Sequence, residues 1–150
     1  MATKLNVPNM LLGESLIPLQ DGALDLGSSP FSWKDLYLSD TFYLGKGFKS
    51  EIATITPSSG VVAINMSSEI LKKTTLDSNT TFSAAGIAEG TSATLRVIAD
   101  GTDRTLAFTS GWVFIGQKPV SIAANKTAIL VLTSFGTGNA DIVASYSVQD

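Results

Sequence analysis

The residues of greatest chemical interest in this sequence are carboxylates set in glycine-rich turns. Asp100 and Asp103 share the run Asp100-Gly101-Thr102-Asp103, and Asp21 and Asp25 lie four apart in another turn. Two carboxylates held close do acid–base work when burial drives their pKa values apart, and loop oxygens suit calcium. Neither use is expected here. An Asp in a Gly-rich turn commonly bonds its own backbone, and the alternating acidic run of a calcium loop is missing. The 150 residues include no histidine and no cysteine. Ser-His-Asp and Cys-His arrangements, His/Cys zinc sites, redox dithiols and disulfides are therefore excluded by composition. No catalytic residue, metal site or cofactor is expected.

Glycine-rich stretches lead no further. Gly86 and Gly90 flank Ile87-Ala88-Glu89, and Gly136-Thr137-Gly138 is a second cluster. Neither ends in the Gly-Lys-Ser/Thr that holds phosphate ahead of a helix, so both read as turns. Asn79-Thr80-Thr81 and Asn125-Lys126-Thr127 match the glycosylation sequon but read as Thr-rich β sequence. Among the aromatics, an exposed Trp33 or Trp112 would stack on a sugar ring. The competing reading of Gly111-Trp112-Val113-Phe114-Ile115-Gly116 is a strand with one buried face. Trp112, Asp100, Asp103 and Asn139 are the candidate contacts for a host surface glycan.

The elements that must position these residues are β-strands. Charged residues are 15% of the chain and the hydrophobic set 44%, against about 25% charge in an ordinary soluble domain. Serine, threonine and glycine make up the difference. A net charge of −3 argues against nucleic acid and anionic membrane as partners. No apolar run approaches the roughly 18 residues of a membrane helix, and no secretory signal pattern is expected at the N-terminus. Helical periodicity is nearly absent, while short runs rich in Val, Ile, Thr, Phe and Tyr alternate with turn residues.

Three segments differ in character. Residues 1–20 carry Leu5, Val7, Met10, Leu11, Leu12, Leu16 and Ile17, broken by two prolines and a glycine. This reads as an extended arm, lying either on a partner or on its own domain. Residues 21–56 hold short strand candidates with Leu26, Trp33, Leu36, Leu38, Phe42 and Leu44. So few short strands do not enclose a core alone, so the segment is expected to associate with copies of itself. If Leu36, Leu38, Phe42 and Leu44 are buried in that way, each contributes about 1.5–3 kcal/mol.

From residue 57 onward, strands are expected at Val61–Met66, Ile70–Leu76, Thr80–Ala84, Ala93–Ala99, Thr105–Thr109, Trp112–Gly116, Val120–Ala123, Ala128–Ser134 and Ile142–Val148. The turn at Asp100–Asp103 predicts a hairpin over Ala93–Thr109. Phe135–Asn139 predicts a second hairpin, and Asn125-Lys126 a third turn. Ile142, Ala144, Tyr146 and Val148 should face the core, because strand side chains alternate. In Ala128-Ile129-Leu130-Val131-Leu132 both faces are apolar, so the second face needs cover, and a neighbouring subunit would supply it.

Two stretches resemble known proteins. Asp21–Gly45 resembles a repeat of bacteriophage tail fibres, tail spikes and related virion proteins. The matching residues are Asp25, Leu26, Gly27, Ser28, Ser29, Trp33, Lys34, Asp35, Leu36, Tyr37, Leu38 and Ser39, then Tyr43, Leu44 and Gly45. Pro30-Phe31-Ser32 departs from the pattern, where many copies carry a polar run before the Trp. A second stretch, about Thr74–Asp150, resembles β-rich modules at the ends of phage tail and head-fibre proteins. It includes Thr94–Phe108 and Gly111–Gly116. The resemblance implies β-structured homotrimers that bind virion or host surfaces.

The expected protein is all-β. It has an N-terminal arm (1–20), a short trimerising β segment (21–56) and a C-terminal antiparallel β-sandwich of jelly-roll type (57–150). The expected function is that of a non-enzymatic phage virion protein, a homotrimeric capsid cement, decoration or head-fibre protein on the capsid surface or tail. Leu26, Trp33, Leu36, Leu38, Phe42 and Leu44 would form the trimer interface. The arm residues would attach to the major capsid protein or another virion protein. The alternative is a short tail fibre that binds a host surface glycan.

Overall fold

The computed structural model describes residues 50–150, and within them the chain is all-β. The strands are β1 (Ile52–Thr54), β2 (Val61–Asn65), β3 (Leu71–Leu76), β4 (Thr80–Ala85), β5 (Ser92–Ala99), β6 (Arg104–Phe108), β7 (Val113–Phe114), β8 (Ser121–Ile122), β9 (Thr127–Ser134) and β10 (Ile142–Val148). One 3-10 turn, Asn139–Asp141, precedes β10. A six-stranded sheet runs β1-β3-β5-β9-β10-β7, and a four-stranded sheet runs β2-β4-β6-β8.

The chain alternates between the sheets through its first six strands. β1, β3 and β5 are parallel neighbours in one sheet, and β2, β4 and β6 are parallel neighbours in the other. Parallel strands need a long crossover. Here each crossover is a strand of the opposite sheet, so winding and crossover are the same segment. The strands suit this because each carries one apolar face. The inward set includes Val62 and Ile64 of β2, Phe82 of β4, Leu95 and Val97 of β5, Leu106 of β6, and Leu130 and Leu132 of β9. Residues of both sheets join in one core cluster.

The second half closes the sheets with antiparallel pairs. β9 lies between β5 and β10, antiparallel to both. β8 pairs antiparallel with β6, and β7 caps the six-stranded sheet parallel to β10. The expected antiparallel pairing therefore holds for β5 with β9, β9 with β10 and β6 with β8, and fails among the first six strands and for β7. The predicted hairpin at Phe135–Asn139 forms, whereas the one over Ala93–Thr109 does not. β5 and β6 belong to different sheets, and Asp100–Asp103 carries the chain between them. A two-residue hairpin of type I′ requires positive φ at both central residues. Gly101 and Thr102 do not adopt it. Instead the Asp100 carbonyl accepts from the Asn125 amide at 2.9 Å, and the Asp103 carboxylate accepts from the Ala124 amide at 2.8 Å. These bonds bind the crossover to the next loop.

Every strand expected beyond residue 57 appears, with ends shifted by a residue or two. Ile52–Thr54, which the sequence pattern groups with the preceding segment, pairs with Leu71–Lys73 as a further sheet strand. On β10, Ile142 and Ala144 are buried as expected, but Val148 is 48% exposed. Among the described residues β7 pairs only with Val143 and Ala144, and no described strand flanks the far half of β10 on that side.

Two glycines are required by close approach. Gly86, at φ +62°, follows β4, and a Cβ there would sit 2.5 Å from Asn65 Oδ1. Gly111, at φ +102°, would bring a Cβ to 3.1 Å from the Ala140 amide. Both values of φ also disfavour any residue with a side chain.

Candidate interaction surface

The four residues considered for glycan contact fall into two pairs at opposite ends of the six-stranded sheet. Ile98 pairs with Thr127, so Asp100 and Asp103 lie beyond the start of β9. Trp112 and Asn139 meet beyond its other end, where the Trp112 indole N–H donates to Asn139 Oδ1 at 3.2 Å. Trp112 is only 7% exposed. Its ring packs against Phe108, which stacks on Phe82 and meets Phe114 edge-on. Lys118 Nζ lies 5.7 Å from the centroids of both Phe108 and Phe114. The aromatic set is thus a packed cluster with a cationic lid.

The carboxylates are also engaged within the chain. Asp100 accepts two bonds from the Arg104 guanidinium, at 2.9 and 2.6 Å. Hydrogen bonding from Arg104, reinforced by its charge, holds the Asp100 carboxyl below its ordinary range and raises Arg104 in turn. Asp141 Oδ2 accepts from the Gly138 amide at 2.9 Å and closes the β9–β10 loop. No group of three or more acidic residues among the described residues is placed to hold a metal ion.

The inner face of the six-stranded sheet carries unexpected polar residues. Lys72, only 3% exposed, shares an inward row with Leu95, Leu130 and Tyr146. Its amine donates to Ser68 Oγ at 3.2 Å and to the Glu69 carbonyl. Burial pushes its pKa down. The Tyr146 hydroxyl and Thr74 Oγ1 are buried without a hydrogen-bond partner among the described residues. Desolvation pushes Tyr146 up to about 12.

The outer face of the same sheet is the surface that stands out. Strand register places its outward residues in rows. Ile52, Leu71, Thr94, Val131 and Ser145 form one row, and Ile115, just past β7, adjoins Ser145 through its amide bond to Ala144. On one side lies the row Ser92, Thr133, Val143 and Val113. On the other lies the row Thr54, Lys73, Arg96, Ile129 and Ser147. Ile115 is 66% exposed and Ile52 58%, while Leu71, Val113 and Ile129 are also exposed. The need for cover on β9's second face, expected from Ile129 and Val131, thus extends across the sheet.

Lys73 and Arg96 are direct partners across β3 and β5. Neighbouring strands lie about 4.8 Å apart, so two cations stand side by side. Hollows of about 250 Å³ and about 170 Å³ adjoin them, the first lined by Ile52, Leu71, Thr94 and Ile129 and the second by Thr54, Thr75 and Ile98. None of the strand positions on this face carries a carboxylate.

The expected trimer residues Leu26, Trp33, Leu36, Leu38, Phe42 and Leu44 lie outside the described residues. So do the expected attachment residues Leu5, Val7, Met10, Leu11, Leu12, Leu16 and Ile17. Sequence reasoning did not single out Lys73 or Arg96. The signal was present as Leu71-Lys72-Lys73 and Arg96, but pairing them requires the register of two parallel strands. No family model, curated protein or solved structure matches the chain.

Proposed function

We propose that this chain is a non-enzymatic structural protein of a tailed-phage virion. It acts as a homotrimeric cement, decoration or head-fibre protein that attaches to the particle and stabilises it. Residues 1–20 serve as an attachment arm, the segment from residue 21 up to β1 trimerises, and the β-domain folds as a sandwich. The observation that carries the reading is the outer face of the six-stranded sheet, whose exposed Ile52, Leu71, Val113, Ile115 and Ile129 favour a surface that works by being covered. The resemblance of Asp21–Gly45 to virion repeats supports the same assignment. Bridging neighbouring capsid subunits through buried apolar area needs no chemistry.

Sedimentation and localisation test this. The wild-type chain should sediment as a trimer, and Leu36→Asp with Leu38→Asp should reduce it to monomers. An intact trimer in that double variant removes the proposed axis. Labelled protein should map to the capsid surface, and a signal confined to the distal tail would overturn the cement role. The glycan-binding alternative draws no support from Trp112, which is buried, or from Asp100 and Asp103, which bond within the chain.

A further inference from the structure

Acidic side chains outnumber basic ones in residues 50–150, yet the outer face of the six-stranded sheet carries only cations. Lys73 and Arg96 are cross-strand partners there. Like charges placed directly opposite destabilise a sheet, and no strand position of that face carries a carboxylate to offset them. No ion pair joins either residue to another described residue. Around them the surface is aliphatic and threonine-rich, with hollows on both sides lined by Ile52, Leu71, Ile98 and Ile129 alongside Thr54, Thr75 and Thr94.

We propose that this face docks onto a carboxylate-bearing, otherwise apolar surface of a different protein of the particle, with Lys73 and Arg96 as the charged anchors. The proposal rests on the virion reading and names the kind of surface the domain attaches to. Two copies of this chain meeting face to face would oppose cationic rows in an apolar setting, where repulsion is least screened. A carboxylate pair removes the repulsion within the sheet and gains the guanidinium's forked donors. An anionic glycan would match the charge but not the surroundings. Aliphatic side chains suit protein burial, whereas sugar rings favour aromatic platforms, and none of the strand positions on this face is aromatic.

The test uses purified virions of the source phage and full-length chain, wild type and Lys73→Glu/Arg96→Glu. Both side chains are exposed strand positions, and Lys73→Gln/Arg96→Gln is a milder control, with folding checked by circular dichroism. Quantitative mass spectrometry should find wild-type chain in the particle. Binding of the reversed variant to particles lacking the chain should be weaker by about 30-fold or more, with the trimer intact by sedimentation. A water-soluble carbodiimide should join Lys73 to an Asp or Glu of another virion protein.

Wild-type chain absent from the particle overturns the virion reading and this docking with it. Wild-type chain present with the reversed variant equally well bound overturns the docking alone. Links from Lys73 to carboxylates of the same polypeptide, such as Glu14, Asp21, Asp25, Asp35 or Asp40, or of another copy, also overturn it. So does charge reversal that abolishes retention on a heparin column while leaving particle binding unchanged.

Discussion

The two outer faces of this β-domain differ more than their shared core would require. On the four-stranded sheet the outward positions are Val61, Ala63 and Asn65 of β2, Thr81, Ser83 and Ala85 of β4, Thr105 and Ala107 of β6, and Ser121 of β8. Apart from Val61, these are small or polar residues, and none carries a formal charge. On the six-stranded sheet the outward positions set Ile52, Leu71, Ile98, Ile129, Val131 and Val113 among serines and threonines, together with Lys73 and Arg96. Both sheets bury a mainly apolar inner face, so folding alone does not explain the contrast. A face of Ser, Thr and Ala is at ease in water. A face that keeps Ile and Leu exposed beside two like charges is better explained by what it meets than by what it holds up.

The largest expected effect separates these two roles within one strand. Leu130 and Ile129 are consecutive on β9 and point to opposite faces. Leu130→Ala should lower unfolding free energy by about 2–5 kcal/mol, measured by chemical denaturation. Ile129→Ala should change it by less than about 1 kcal/mol while weakening attachment to particles. Equal losses from the two would mean that the outer face is already covered by the chain itself, and the contrast between the faces would dissolve.

A smaller effect probes the small-residue face. Gly86→Ala adds a Cβ at positive φ against Asn65 Oδ1. It should cost about 1–3 kcal/mol, read in the same denaturation assay, and leave attachment unchanged once corrected for folding. Smaller again is Trp112→Phe, which removes the hydrogen bond to Asn139 and should cost about 1 kcal/mol. Trp112 precedes β7, so this variant should loosen the edge carrying Val113 and Ile115. Faster amide exchange at Ile115, whose N–H bonds the Ala144 carbonyl, would show it. Unchanged exchange there would mean that the indole does not position the edge.

Strand identity was legible because it is written locally. Alternation in Val61–Asn65 and Thr127–Ser134 exposes the buried set directly, and turn residues bracket each run. Pairing was less legible because it is not local. Asp100-Gly101 has hairpin composition, but Arg104 and the Ala123–Lys126 loop claim the groups a hairpin would use. The two parallel sets depend on which sheet each strand enters, and no dipeptide encodes that. The cation pair was hidden for the same reason, since Lys73 and Arg96 are far apart in sequence and adjacent only through the parallel register of β3 and β5. Lys72 sharpened the difficulty, because the alternation that turns Lys73 outward places its neighbour in the core. The aliphatic excess on β9 was visible without any pairing, which is why the need for cover could be read early.

The smallest expected effect concerns what joins the two sheets. Arg104 begins β6 of the four-stranded sheet, while Asp100 follows β5 of the six-stranded one, so their ion pair spans the crossover between them. It lies near the surface, where such pairs contribute little. Its pH signature is nevertheless distinct. The Asp100 carboxyl is depressed in the folded state by hydrogen bonds from Arg104. Its contribution should be fully present above the unfolded carboxylate pKa of about 3.9 and fade as pH falls through the lower folded value. The melting midpoint of wild type should therefore exceed that of Asp100→Asn by a small constant margin near neutral pH. The margin should shrink on acidification, and also in about 1 M salt. A margin that persists at pH 2 would show that the side-chain effect does not come from the ionised carboxylate, leaving the two sheets joined at this crossover by loop geometry, including the Asn125 amide bond to the Asp100 carbonyl, and not by charge.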